Sequence, residues 1–350
     1  MDQLTITRPD DWHLHLRDGD RLRSVVADTA TRFGRALIMP NLRPPITSVD
    51  MALAYRERIS AALSAAALEG PAARFNPLMT LYLTAATRPA DVEAIARTPE
   101  VVAIKLYPAG ATTNSDAGVT SLDPLDPVFE AMATHEVPLL IHGESTLPEV
   151  DVFDREAHFV AGPLDRLRTR HPTLKIVLEH ITTAAAVAWV REAGPHTAAT
   201  ITAHHLLYNR NALFQGGLRP DLYCLPVLKR ERDREALIDA ACSGETRFFL
   251  GTDSAPHPRE AKYSACGCAG IYTAHAAIEL YAEAFDAAGQ LARLEGFASL
   301  HGPAFYGLDP NPGSITLVRE PWTAPTSAHF GDGLLTPLRA GETVAWRLRD

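Results

Sequence analysis

Short runs of apolar residues recur along the chain, and a longer, Ala-rich stretch with helical spacing follows most of them. A short apolar run bounded by Gly, Pro or polar residues is typical of a buried strand. The first run is the opening segment around His13. The other seven runs are residues 36–39, 77–83, 101–106, 138–141, 175–178, 198–202 and 248–251. Helical patterns lie between most of these runs, at residues 49–68, 89–96, 124–135, 154–170, 184–193 and 231–243.

Eight strands that alternate with helices predict a (β/α)8 barrel, because parallel strands must be joined by crossover connections. A doubly wound open sheet is the alternative architecture. It would call for a glycine-rich phosphate-binding turn after an early strand, and the sequence has neither G-x-G-x-x-G nor a P-loop. We therefore interpret residues 1–350 as one barrel domain, with residues from about 313 to 350 as a short β-containing appendage.

Residues that can bind a metal ion or carry a positive charge stand at the ends of five predicted strands. His13 and His15 close the opening segment, after the apolar residues Leu4 and Ile6. Alternate residues of a strand share one face, so both imidazoles can reach one ion. The residues at the other four strand ends are Lys105, His142, His180 and Asp253. Barrel enzymes carry their chemistry at the C-terminal ends of the strands, so we expect these side chains to converge.

Each of these residues also has an ordinary structural interpretation. A single buried histidine is more often a hydrogen-bonded core residue than a metal ligand. Lys105 could extend its amine to solvent from a strand end, and Asp253 could cap a following helix. A buried lysine is costly unless it is paired or modified, so the functional alternative for Lys105 is an amine that has added CO2. Taken together, the six residues favour a site for Zn²⁺, which prefers imidazole and anionic oxygen ligands.

Composition excludes several classes of protein. The chain is 46% hydrophobic and 21% charged with a net charge of −9, which is typical of a soluble globular protein and lacks the basic character of a nucleic-acid-binding surface. No apolar run approaches the length of a membrane span, and the start has no signal-peptide pattern. Four cysteines are too few for a disulfide framework in a chain of 350 residues. We expect a cytoplasmic protein with no nucleic-acid or membrane partner.

Two further groups of possible ligands carry less weight. The Cys266-Gly-Cys268 motif has no second cysteine pair, so we expect it to shape a loop rather than to bind a metal. Cys224 is expected to be a packed core thiol, and His204 and His205 to support the structure.

Many of these residues lie in stretches that resemble the short bacterial dihydroorotases of the amidohydrolase superfamily. The stretches that carry the resemblance extend over nearly the whole chain, at residues 8–18, 39–42, 105–108, 111–115, 140–144, 153–156, 179–183, 223–226, 250–257 and 266–270. The H-x-H pair lies near residue 13 without a strand-rich segment before it, unlike the longer dihydroorotases, hydantoinases and allantoinases.

The resemblance implies a binuclear zinc site. The implied ligands are His13, His15, Lys105, His142, His180 and Asp253. The first two histidines and the aspartate would hold the more buried Zn²⁺, and the other two histidines would hold the second. Lys105, carboxylated to N6-carboxylysine, would bridge the two ions together with a hydroxide.

The resemblance also implies a set of substrate-binding residues. A carboxylate of the substrate would be held by Arg17, Asn41 and His257, with backbone groups near Leu225 and Ala269, while His142 would contact the substrate from the metal side. Thr112 and Thr113 lie in a segment, residues 107–115, that resembles the family's mobile active-site loop. Gly110 departs from the family pattern, and we expect this glycine to make loop closure less favourable.

The implied reaction is the reversible cyclisation of N-carbamoyl-L-aspartate to L-dihydroorotate plus water in pyrimidine biosynthesis, by a hydrolase of cyclic amides. The bridging hydroxide would be the nucleophile in the ring-opening direction, and Asp253 would act as general base and then as general acid. The resemblance further implies a homodimer. Two alternatives stay open: a hydantoinase-like enzyme, which would not need the carboxylate-binding residues, and a non-catalytic homologue, which should have lost metal ligands.

Overall fold

Eight parallel strands form the central sheet of the computed structural model, which describes residues 2–265 and 267–349. After β1 (Gln3–Thr7), these strands are β2 (Asp10–Leu14), β3 (Arg35–Ile38), β4 (Asn76–Tyr82), β5 (Val101–Leu106), β6 (Leu139–Ile141), β7 (Ile176–Leu178), β8 (Thr197–Ile201) and β9 (Phe248–Leu250). Each pairs with the next. The sheet closes where the Asp253 amide donates to the carbonyl oxygen of His13 at 2.9 Å. The predicted (β/α)8 barrel is confirmed.

Helices surround the barrel. The α-helices are α1 (Gly19–Arg32), α2 (Val49–Ala65), α3 (Pro89–Ala96), α4 (Asp126–Thr134), α5 (Arg155–Phe159), α6 (Asp165–Arg170), α7 (Ala184–Glu192), α8 (Ala203–Leu207), α9 (Glu231–Cys242), α10 (Arg259–Lys262), α11 (Ala277–Ala287) and α12 (His301–Tyr306). The helix predicted at residues 154–170 is α5 and α6 with a π-helical turn between them, where Pro163 lacks an amide donor. Within the described residues, no helix has the length and apolar character needed to cross a membrane.

The barrel interior is filled by one apolar side chain from each strand, in a layer separate from the main core. These side chains are Trp12, Leu37, Leu78, Ala103, Leu140, Val177, Ala198 and Phe249. Tyr306 of α12 stacks on Trp12 with 4.3 Å between ring centroids. Side chains two positions further along a strand point to the same interior face. This spacing places Lys105 above Ala103, and His142 above Leu140.

The C-terminal segment forms small antiparallel sheets outside the barrel. Its strands are β10 (Ser314–Val318), β11 (Trp322–Thr323), β12 (Ala328–Phe330), β13 (Gly333–Leu335), β14 (Thr343–Val344) and β15 (Arg347–Arg349). Strand β10 pairs with both β1 and β15. The apolar residues Leu4 and Ile6 therefore belong to this outer sheet, and treating them as the lead into the first barrel strand was wrong. Because Pro9 interrupts the chain between them, β1 and β2 are separate strands. The appendage boundary near residue 313 stays a prediction.

Candidate metal and substrate site

The six predicted metal ligands lie together at the end of the barrel where the strands terminate. Each has 7% or less of its residue surface exposed, and they belong to the ends of β2, β5, β6, β7 and β9: His13, His15, Lys105, His142, His180 and Asp253. Lys105 is fully buried, so it does not extend its amine to solvent. Asp253 caps no helix, since the next helix begins only at Arg259.

His13, His15 and Asp253 form the tightest part of this cluster. The Nε2 atoms of the two histidines are 3.2 Å apart, and Oδ1 of Asp253 lies 3.4 Å from the first and 3.2 Å from the second. Strand β2 ends at Leu14, so His15 lies just beyond the strand rather than within it. Its position is fixed instead by its amide, which donates to the carbonyl oxygen of Ser254 at 3.2 Å.

His142 and His180 complete the histidine cluster from the other side. Their ring centroids are 4.8 Å apart, and the His180 ring is 4.9 Å from that of His13. Burial, and then the positive charges of its neighbours, holds the pKa of His13 and of His180 well below the usual histidine value. Both imidazoles are therefore neutral at physiological pH, which is the form that binds a metal ion.

Two buried polar atoms without hydrogen-bond partners indicate whether these residues fit a metal ion. Nδ1 of His180 and Nζ of Lys105 are buried and have no hydrogen-bond partner in the described part of the chain. An unsatisfied buried polar group costs about 1–3 kcal/mol, so such groups call for a ligand or ion. Ligand atoms of His13, His180 and Asp253 also lie within 4.8 Å of one another. The donor set, neutral imidazoles with an anionic oxygen, fits Zn²⁺.

Lys105 is the least ordinary member of the site. Its Nζ lies 3.7 Å from Oε2 of Glu179 and 5.2 Å from the centroid of the Tyr107 ring. Burial lowers the pKa of this amine well below the usual lysine value, and the charge of Asp253 opposes the shift only in part. A neutral amine with a free lone pair is the form that reacts with CO2.

Three residues orient the histidines, and the sequence analysis assigned this role to none of them. Oε2 of Glu144 lies 2.8 Å from Nε2 of His142, and Oδ1 of Asn41 lies 2.8 Å from Nδ1 of His15. Glu179 contacts Nδ1 of His13. Such partners fix which ring nitrogen faces a metal. Period-two spacing could have revealed Glu179, because it follows Val177 on the interior face of β7.

A small cavity opens beside the cluster. All five predicted imidazole and carboxylate ligands line it, together with six predicted substrate-binding residues: Arg17, Asn41, Thr112, Thr113, Leu225 and Ala269. His257 does not line it, but its Nε2 lies 3.1 Å from Nη2 of Arg17. Burial, with Arg17 close by, lowers the pKa of His257 to about 2.

Arg17 reaches this cavity from a loop. Its φ is 61°, in the left-handed region, three residues after β2 ends. Arg17 therefore does not continue the strand face that carries His13. Its Nε donates to the carbonyl oxygen of Pro256 at 3.0 Å, which holds the guanidinium beside His257.

The loop predicted to be mobile, residues 107–115, lies over the cavity. Oγ1 of Thr113 donates to the carbonyl oxygen of Ala269 at 3.3 Å, and Nδ2 of Asn41 donates to that of Thr113 at 3.2 Å. Gly110 has a φ of +76°, and an added Cβ would meet nothing within 4 Å. Glycine therefore suits the backbone of this turn, while the expected effect of Gly110 on loop closure stays a prediction.

A second buried histidine group contains His205, whose contacts favour a structural role. His205 has a partner at each ring nitrogen, Thr202 Oγ1 at 2.7 Å and the carbonyl oxygen of Pro226 at 3.0 Å. Cys224 is buried, as predicted, and its thiol donates to the same carbonyl oxygen at 3.3 Å. His204, His205 and Cys224 are nonetheless close enough to hold an ion.

The loop that presents Ala269 is held by a lysine that the sequence analysis did not single out. Nζ of Lys262 donates to three carbonyl oxygens, those of Tyr223, Cys268 and Gly270, at 3.0, 3.1 and 2.6 Å. These contacts tie the backbone beside Leu225 to the backbone beside Ala269. Cys266, the first residue of the predicted C-x-C loop motif, lies outside the described residues.

The fold and the site define a metal-dependent enzyme of the amidohydrolase family, whose sequence model matches residues 10–324. The chain is 63% identical over 347 residues to the dihydroorotase of Acidovorax sp. (strain JS42), covering 99% of this chain and 98% of the relative. It therefore belongs to the dihydroorotases within that family, hydrolases that act on a cyclic amide.

Two solved dihydroorotase structures share the whole fold. The enzyme of Campylobacter jejuni is 34% identical with a TM-score of 0.89, covering 100% of this chain and 98% of the other. The enzyme of Saccharomyces cerevisiae, in complex with 5-fluoroorotic acid, is 31% identical with a TM-score of 0.90, covering 100% and 99%.

Proposed function

We propose that the chain catalyses the reversible interconversion of N-carbamoyl-L-aspartate and L-dihydroorotate plus water, the dihydroorotase step of pyrimidine biosynthesis. The proposal rests on one observation: a single cavity is lined both by the predicted metal ligands and by the cationic side chain of Arg17. Arg17 faces this cavity within hydrogen-bond distance of His257, and Asn41, which lines the cavity, also contacts His15. Both L-dihydroorotate and 5-fluoroorotic acid, the ligand of the yeast relative, carry a carboxylate that such a group can bind.

Two divalent cations, which we propose are Zn²⁺, would complete the site. His13, His15 and Asp253 would hold one, and His142 and His180 the other. When bound, such ions supply an activated water nucleophile and polarise the amide carbonyl.

Carboxylated Lys105 would join the two ions. The lone pair of its neutral Nζ forms an N–C bond with CO2, one C–O π pair moves onto oxygen, and Nζ releases one proton to solvent. The product is an anionic carbamate with two oxygens. The buried Nζ supports this assignment, because an unmodified amine there has no hydrogen-bond acceptor among the described residues, and Oε2 of Glu179 lies 3.7 Å away.

The chain's own residues bind and orient the substrate and transfer a proton. Arg17 can donate two parallel hydrogen bonds to the substrate carboxylate. Thr113, held to the far wall through Ala269, keeps the loop over the ring and excludes bulk water. Asp253 takes a proton from the attacking water and delivers it to the departing ring nitrogen, so one carboxylate serves as base and then as acid.

The competing functions make different demands on these residues. A hydantoinase-like enzyme would bind a ring without a carboxylate and would leave Arg17 without a role in the cavity. A non-catalytic homologue would have no need for all six ligand side chains, and here all six converge. The assembly as a homodimer is part of this proposal and rests on the family resemblance. A cytoplasmic location is likewise proposed, from the cysteine usage.

The decisive experiment follows ring opening of L-dihydroorotate by ultraviolet absorbance, with metal counted on the same purified sample. Turnover that a chelator abolishes, with about two metals per chain, would support both the reaction and the binuclear site. Two metals without turnover of L-dihydroorotate would move the proposal to another cyclic amide. Neither metal nor turnover, in protein prepared with zinc and bicarbonate, would favour the non-catalytic homologue. Light scattering of the same sample tests the dimer.

A further inference from the structure

One buried carboxylate stands between two residues of the metal site and has no role in the reaction described above. Glu179 follows directly after β7, and 1% of its surface is exposed. Its Oε2 contacts Nδ1 of His13 and lies 3.7 Å from Nζ of Lys105. Its Oε1 is buried and has no hydrogen-bond partner among the described residues. A carboxylate this buried is rare unless it is paired, so its two neighbours explain its presence.

The contact with His13 determines which ring nitrogen carries the hydrogen. A carboxylate only accepts hydrogen bonds, so Nδ1 of His13 must be the N–H donor. The lone pair of a neutral ring is then on Nε2, which faces Nε2 of His15 and Oδ1 of Asp253. Glu179 thus directs the metal-binding electrons of His13 toward the other two ligands.

The proximity to Lys105 gives Glu179 a second contact. Carboxylation leaves one hydrogen on Nζ, and a buried N–H needs an acceptor. Within the described residues, Glu179 is the only carboxylate whose oxygen comes within 4.0 Å of this nitrogen. An acceptor for the N–H would also limit rotation of the carbamate about the Cε–Nζ bond, because the N–H must then face Glu179.

We propose that Glu179 is the positioning residue of the metal site, which fixes the tautomer of His13 and accepts the N–H of the Lys105 carbamate. The inference rests on the proposed function, since it assumes that Lys105 is carboxylated. Glu179 acts through two ligands and touches neither substrate nor reacting atoms.

Glu144 provides a matched control. It is equally buried, with 1% exposed, and its Oε2 contacts a site histidine, Nε2 of His142, at 2.8 Å. In the described part of the chain, no lysine lies within ion-pair distance of it. Glu144→Gln therefore perturbs one histidine, whereas Glu179→Gln perturbs one histidine and the lysine.

The experiment measures Zn²⁺ affinity by competition with a chelator, and lysine carboxylation by ¹³C NMR of protein equilibrated with ¹³C-bicarbonate at saturating Zn²⁺. Loss of an outer partner of a ligand typically lowers metal affinity about 10–100-fold, so both glutamine variants should show this loss. Only Glu179→Gln should also lose most of the carbamate resonance. Glu179→Asp, which keeps the charge on a shorter side chain, should recover part of both properties and serves if the glutamine variant does not fold.

Two results would overturn the inference. One is Glu179→Gln protein with wild-type Zn²⁺ affinity and a full carbamate resonance. The other is an equal loss of the resonance in Glu144→Gln, which would show a general disturbance of the site. Failure of the proposed function can be distinguished from failure of this inference. It would be seen already in the wild-type protein, as absent turnover or an absent carbamate resonance.

Discussion

Replacing Gly251 with alanine should damage the site without removing any functional group. Gly251 follows β9 inside the barrel, and an added Cβ would lie 2.7 Å from Cβ of Thr200 and 3.1 Å from Cβ of His13. Ordinary carbon contacts are about 3.5–4.0 Å, so Thr200 must move by roughly 0.8 Å and His13 by roughly 0.4 Å to admit the added carbon. Thr200 accepts the amide of His180 at 2.7 Å through its Oγ1, so the change displaces two predicted ligands.

The Gly251→Ala substitution should lower both the stability of the protein and its catalytic rate. Overpacking a filled interior costs about 1–3 kcal/mol of unfolding free energy. A misplacement of about 1 Å at a reacting centre costs about 10²-fold in rate. We therefore expect Gly251→Ala to lower kcat/KM for L-dihydroorotate about 10–100-fold, with a lower melting temperature and reduced metal content.

The matched control is Gly333→Ala in β13, where the nearest atom to an added Cβ is Oε2 of Glu260 at 3.7 Å, an ordinary contact. Neither glycine has a positive φ, so alanine strains neither backbone. The assay is the initial ultraviolet rate, with metal content and melting temperature measured on each protein. If the Gly251→Ala enzyme keeps the wild-type rate and metal content, the reasoning is refuted. Either His13 and His180 are not displaced by the added carbon, or their exact positions do not matter for metal binding and catalysis.

Three further substitutions test individual residues. Lys105→Ala should lower bound zinc and ring opening together, as measured by metal analysis and the ultraviolet assay; normal turnover without an added carboxylic acid would rule out the carbamate. Asp253→Ala should keep the far-ultraviolet circular dichroism spectrum and lose at least about 10²-fold in kcat, the typical contribution of a general base; a loss of only a few-fold would place the base elsewhere. Thr112→Ala or Thr113→Ala should weaken the use of N-carbamoyl-L-aspartate while zinc stays bound, and loss of zinc would show that the loop has a different role.

The barrel was predictable because two periodic patterns in the sequence have a direct physical cause. Strands buried on both faces must be apolar, and the ends of parallel strands meet at one rim. Lys105 and His142 follow apolar residues by two positions, so their convergence could be expected before any coordinates. Helix α1 was missed although its buried residues Leu22, Val25 and Val26 follow helical spacing and Asp18 caps its first amide at 2.9 Å.

Other features depend on contacts that form only in the folded chain and leave no pattern in the sequence. Strand β1 was assigned to the barrel because it precedes β2 closely, yet its partner is β10, about three hundred residues away along the chain. Glu144 and Glu179 resemble any other acidic residues until a histidine is seen beside each. The same holds for Lys262, whose three carbonyl partners lie on two separate loops.

The tightest part of the site is formed by the closure of the barrel itself. Asp11 in β2 accepts the amide of Thr252 at 2.8 Å and its hydroxyl at 2.6 Å, and it also accepts the amide of His13 at 3.1 Å. One buried carboxylate thus ties the first barrel strand to the segment after the last. His13 and Asp253 are neighbours of these tied residues, so they can face each other only when β2 and β9 meet. The sequence predicts both residues as ligands, but only the closed barrel brings them together.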